Sequence, residues 1–121
     1  MGNPNDLYKG DDVLYRNSYL KRINELIKLA PAPSKAFLTF EKEAFVSGLI
    51  STKTKELIAI AVAHTTGCPY CIDVHVNKYK KYGGTMVEVM EAIIVASAVK
   101  AGAALSHGVN ALNSYEKNNM L

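Results

Sequence analysis

Two cysteines occur in this chain of 121 residues, Cys68 and Cys71, and His75 follows four positions after the second. On a helix, positions i, i+3 and i+7 share one face. A cysteine at a helix start meets unpaired N–H groups and the positive end of the macrodipole. Both favour the thiolate, which is the reactive form. Pro69, directly after Cys68, suits the first helical position, where its missing N–H costs nothing. An imidazole one turn beyond Cys71 has the reach to take or return a thiol proton. The two sulfurs can close into a disulfide, so that a sulfenic acid on one is resolved by the other. The segment Cys68–His75 therefore reads as a two-electron redox unit.

Other readings of the same residues are blander. Free cysteines are among the most buried residue types, and a lone C-x-x-C can be an inert pair. That is harder to sustain for a pair flanking a proline at a helix start. The run C-x2-C-x3-H also resembles part of a zinc site, for which His64 or Glu56 would have to complete the ligand set. No second Cys/His pair follows, so redox chemistry is the expectation and no metal ligand is assigned. Glu56, by its position, reads as a solvated first-turn carboxylate. It bears on the thiols only if its helix packs against theirs and directs the carboxylate at them. His64 reads as a last-turn histidine favourable to the helix dipole, and His107, beside Gly108, as a packing or interface residue. Tyr70, between the cysteines, is a candidate modulator of the site; its phenol is too weak an acid to be a ready base near neutral pH.

The elements that carry these residues are helical. Nothing alternates with period two for long enough to make a sheet, and punctuation predicts about six helices in one all-α domain. Tyr15, Tyr19, Ile23, Leu26 and Ala30 mark one helical face, ended by Pro31 and Pro33. Ser34 is the expected cap of a second helix, with Phe37, Phe40 and Ala44 inward and a stop at Gly48. Ser51 or Thr52 caps a third helix, which runs to Gly67. Cys68 caps the fourth, which runs to Gly83 and Gly84. Thr85 and Glu88 form a capping box for the fifth, which is apolar on nearly every side from Ala92 to Val99. A helix of that kind is buried all round, and in so small a domain another subunit is expected to supply part of the cover. Gly102 is expected to break or bend the chain before a last segment, 103–117. Residues 1–12 read as a loose arm and 13–121 as the helical domain.

Composition sets the outer bounds. With 49% hydrophobic and 21% charged residues the chain is an ordinary globular one. A net charge of +3 and a pI near 8.8 are too mild for a nucleic-acid partner, and Lys78, Lys80 and Lys81 read as a solvated helix end. The polar start has no apolar signal core, and Asp6 stands where a myristoylation pattern needs Ser or Thr. The longest apolar run, Ala92–Val99, is far shorter than a membrane span. A cytoplasmic protein without a membrane partner is expected, where a cysteine pair is reactive rather than a structural staple.

The stretch from Glu56 to Ala63, followed by Gly67-Cys68-Pro69-Tyr70-Cys71-Ile72-Asp73-Val74-His75, resembles the core of the carboxymuconolactone decarboxylase/alkylhydroperoxidase D (AhpD)-like family. The redox-active branch carries E-x11-C-x2-C-x3-H, and Glu56, Cys68, Cys71 and His75 match that spacing without a gap. The likeness covers roughly residues 36–112. It implies an all-helical fold assembling as a homotrimer or homohexamer. It also implies a hydroperoxide-reducing cycle: Cys71 as the peroxidatic thiolate, His75 and Glu56 as proton relay, Cys68 as the resolving thiol. The regenerating partner would be an external dithiol, lipoyl- or thioredoxin-like, and no cofactor is implied. Alkylhydroperoxidase D proper has a histidine between the cysteines where this chain has Tyr70. A cytoplasmic antioxidant peroxidase is thus the leading expectation. A general disulfide oxidoreductase, a non-enzymatic metal-binding module and a carboxymuconolactone decarboxylase-type enzyme are the alternatives.

Overall fold

The computed structural model describes residues 16–117; the expected arm over 1–12 and Tyr15 lie outside them. Among the described residues there are six α-helices and no strand. A short 3-10 stretch, Asn17–Arg22, leads into α1 (Ile23–Leu29), α2 (Pro31–Ala44), α3 (Thr52–Thr66), α4 (Pro69–Lys81), α5 (Met86–Ser106) and α6 (Gly108–Glu116).

Local chemistry explains most of these limits. The Ser51 hydroxyl accepts the Thr54 N–H at 3.1 Å and caps α3. Gly67 ends that helix in the left-handed region, φ 73°, where a side chain is disfavoured. Cys68 caps α4 and Pro69 opens it. Thr85 and Glu88 exchange both bonds of a capping box at the start of α5. Between α4 and α5 the chain turns tightly at Gly83 and Gly84, and a Cβ on Gly84 would overlap the Tyr79 ring.

Several expectations change. Pro31 and Pro33 open α2 as well as closing α1, because first-turn N–H groups have no helical partner to lose. Ser34 consequently lies inside the helix, its N–H bonded to the Ala30 carbonyl, and is not the cap. α2 stops at Ala44, short of Gly48, and Phe37 and Phe40 are 58% and 71% exposed rather than inward. Their helix packs mainly on α1, away from the core. Gly102 does not interrupt α5; a single glycine costs only about 1 kcal/mol against alanine in a helix, and the alanines around it carry the turn. α5 ends at Ser106 and α6 begins at Gly108, with His107 between them in helical conformation.

The core lies where α3 packs against both α4 and α5. Ile60, Ala63, Tyr79 and Val89 are buried there, with Leu57, Val76 and Ile93 packed around them. Among the described residues much of α5 and α6 has no cover. Met86, Val87, Ile94, Val95, Val99, Leu105 and Val109 all stand more than half exposed, and Val89 is the one buried residue of α5. Because α5 is unbroken through its small residues, the segment Met86–Glu116 is long and apolar enough to cross a membrane by length and composition. The run Ala92–Val99 alone did not suggest that length.

Candidate active site

α3 and α4 are joined only through Gly67 and Cys68, so they return side by side. Glu56, Ile60 and Ala63 fall on the face of α3 that meets this core, and all three are buried. Glu56 is the one buried charged side chain among the described residues, at 3% exposure. Its Oε2 lies 2.6 Å from Nδ1 of His75 on α4. The reading of Glu56 as a solvated first-turn carboxylate is therefore overturned: the tight α3–α4 connection turns it inward to a partner 19 positions along the chain. A buried carboxylate without such a partner would be strongly disfavoured.

This bond fixes the imidazole. With Nδ1 donating its hydrogen to the carboxylate, Nε2 is left as the basic nitrogen. Phe45, the C-terminal cap of α2, stacks flat on the ring, with centroids 5.2 Å apart and planes 11° from parallel. Phe45 is itself held, since Thr52 Oγ1 donates to its carbonyl at 2.8 Å. Lys55 Nζ donates to the next carbonyl, that of Val46, at 2.6 Å. His75 is thus gripped at one edge and on one face. Phe45 and Lys55 carry no signal in the sequence, where the second helix is expected to reach Gly48, and Thr52 is expected there only as a possible cap of α3, not as a support of Phe45.

Cys68 and Cys71 are joined as a disulfide with Cα atoms 5.3 Å apart, and both residues are partly buried. The Cys68 sulfur accepts the Cys71 N–H at 3.2 Å, the capping bond of α4. When the disulfide opens, that N–H and the helix start favour negative charge on Cys68. Cys71 and His75 line two cavities. One, of about 420 Å³, lies against α3 and Phe45. The other, of about 780 Å³, lies between the N-terminal segment, α2 and α4, and includes Tyr70.

The remaining histidines stand apart from this cluster. His64 Nδ1 bonds the Ile60 carbonyl of its own helix at 2.8 Å, and His107 Nδ1 bonds that of Ala103 at 2.7 Å. Among the described residues no three His, Cys, Asp or Glu side chains form a group able to hold a metal ion. The zinc set considered from the sequence is not assembled: the sulfurs are bonded to each other, Glu56 to His75, and His64 to its own helix.

Residues 31–114 match the sequence model of the carboxymuconolactone decarboxylase family, which is well over half the chain. This chain belongs to that family. Among its relatives is an uncharacterised protein of the cox locus of Paracoccus denitrificans. It is 42% identical over 90 residues, covering 74% of this chain and 81% of the relative. An uncharacterised protein of Haemophilus influenzae is 38% identical over 95 residues, covering 78% and 84%. Among solved structures, a carboxymuconolactone decarboxylase family protein of Legionella pneumophila superposes with a TM-score of 0.64 at 29% identity, covering 83% of this chain and 89% of that one. A Thermotoga maritima family member, for which a part in an antioxidative response has been suggested, shares the fold with a TM-score of 0.60 at 24% identity, covering 86% and 94%.

Proposed function

We propose that this family member is a thiol-dependent peroxidase that reduces hydroperoxides through a Cys68–Cys71 dithiol/disulfide cycle. The observation that carries the reading is the cysteine pair at a helix start on the same helix as His75, which is bonded to the buried Glu56, with Cys71 and His75 on the same cavity walls. His75 Nε2 takes the Cys71 proton, and the imidazolium so formed is stabilised by Glu56. The Cys71 thiolate attacks the terminal peroxide oxygen. The O–O bond breaks, the alkoxide takes the proton from His75 and leaves as an alcohol, and Cys71 becomes a sulfenic acid. Cys68, as thiolate, displaces hydroxide from that sulfur; with one proton this is water, and the disulfide results. An external dithiol supplies two electrons and two protons by exchange and is itself oxidised to a disulfide. A lipoyl- or thioredoxin-like carrier is the class of partner proposed, and the cytoplasm is the compartment proposed.

The test is a single turnover. The protein is reduced anaerobically, freed of reductant, and given one equivalent of an organic hydroperoxide. Loss of two thiols with a mass decrease of about 2 Da is expected. Survival of both thiols would overturn the proposal.

A second reading, a general disulfide oxidoreductase, draws support from the Cys71 N–H on the Cys68 sulfur, since a stabilised thiolate leaves faster in exchange. Reduction of insulin at a rate exceeding hydroperoxide turnover would favour it. We also propose that the bare apolar faces of α5 and α6 close against further copies, as a homotrimer or homohexamer. Light scattering behind size exclusion in detergent-free buffer is expected to give three or six subunits; recovery only with detergent-solubilised membranes would overturn this in favour of a bilayer.

A further inference from the structure

The two cavities at the site share Cys71 and His75 and no other lining residue. Building on the peroxidase reading, we propose that Cys71 is approached from two sides. The larger cavity holds the uncharged, apolar body of a bulky organic hydroperoxide, and the smaller one is a separate route for small oxidants to the same sulfur.

Both cavities fall in the size range of ligand pockets, but the larger, about 780 Å³, has nearly twice the room of the smaller, about 420 Å³. Its walls are mostly hydrocarbon: Leu20 from the 3-10 stretch, Ile23 and Leu26 from α1, Phe37 from α2 and Val74 from α4. Ile23, Leu26 and Phe37 are all substantially exposed within the chain. Among the described residues their exposed side chains offer an apolar occupant hydrocarbon surface on this wall. The charged side chain in this wall is the Glu41 carboxylate, which disfavours an anionic body. The reacting pair lines the same space, so a molecule lying there can present its O–O group to Cys71. The smaller cavity, about 420 Å³, is bounded by Phe45 and by Ile58, Ala59 and Val62 of α3. Narrowing one cavity leaves the other route open, which separates substrates by size.

The experiment compares second-order rate constants for thiol loss with cumene hydroperoxide and hydrogen peroxide, in the native protein, Leu26→Trp and Ile58→Trp. The expected result is a fall of roughly tenfold in the cumene-to-hydrogen-peroxide ratio for Leu26→Trp, and a rise in that ratio for Ile58→Trp. A ratio unmoved in both variants, or shifted the same way in both, overturns the two-route proposal while leaving the peroxidase intact. If neither oxidant consumes thiols in the native protein, the peroxidase reading fails and this proposal falls with it.

Discussion

Glu56→Gln isolates what the buried carboxylate contributes. The substitution keeps the volume of a residue that is 3% exposed and keeps an oxygen able to accept the His75 Nδ1 hydrogen at the 2.6 Å position, but removes the charge. Hydrogen bonds to a charged group contribute about 1.5–3 kcal/mol net, against about 0.5–1.5 for neutral ones. The difference, about 1–1.5 kcal/mol, is felt when His75 becomes positive on taking the Cys71 proton. It corresponds to a roughly tenfold slower oxidation of the thiols. Folding stability should change by no more than about 1 kcal/mol, because an amide is less costly to bury than a carboxylate. Stopped-flow thiol loss under excess organic hydroperoxide gives the rate, and thermal melting controls for the fold. The same substitution is then made beside His75→Gln. Since the carboxylate acts through the imidazole, it should cost little in that background. A full tenfold loss there, or no loss in the native background, would refute the relay.

Other expectations follow from the elements around the site. Gly84→Ala should destabilise the fold by about 1–3 kcal/mol, because the added methyl meets the buried Tyr79 ring rather than open space; chemical denaturation with both variants in one buffer measures it. Glu88 is held below the usual carboxylate range by bonds from the Thr85 hydroxyl and N–H, and then from the Tyr79 hydroxyl. A carboxyl whose folded pKa is lowered contributes stability above its unfolded value, near 4.3, and loses it as pH falls through the folded value. The stability gap between native protein and Glu88→Gln should thus be full above about pH 5 and shrink on acidification; a gap that is constant from pH 7 to 3 would contradict this.

What could be read from the sequence was what is decided locally. Ser51, Gly67, Cys68, Pro69, Thr85 and Glu88 set helix ends through bonds that reach only a few residues, and all appear where the spacing puts them. The cysteine pair at a helix start was legible for the same reason, since C-P-x-C is a local motif. Glu56 was not legible from position alone. Its burial depends on the α3–α4 packing, and only the family resemblance pointed to it. Phe45 lay further out of reach, because its stack on His75 is a tertiary contact fixed by Thr52 and Lys55 on another helix. The proline pair failed differently. Pro31 and Pro33 carry the same signal for ending one helix and opening the next, and only the following fold decides between them. Phe37 and Phe40 obey helical spacing, yet periodicity names a face without naming what covers it.

The most direct test of the account is the reaction of the two single-cysteine variants with hydroperoxide in the presence of dimedone. Cys68→Ser should react at close to the native rate and carry one dimedone adduct, mapped to Cys71, because the sulfenic acid has lost its resolving partner. Cys71→Ser should consume hydroperoxide no faster than a free thiol in solution. If Cys71→Ser keeps native turnover, or the adduct is found on Cys68 in that variant at the native rate, the assignment of Cys71 as the attacking thiolate is wrong.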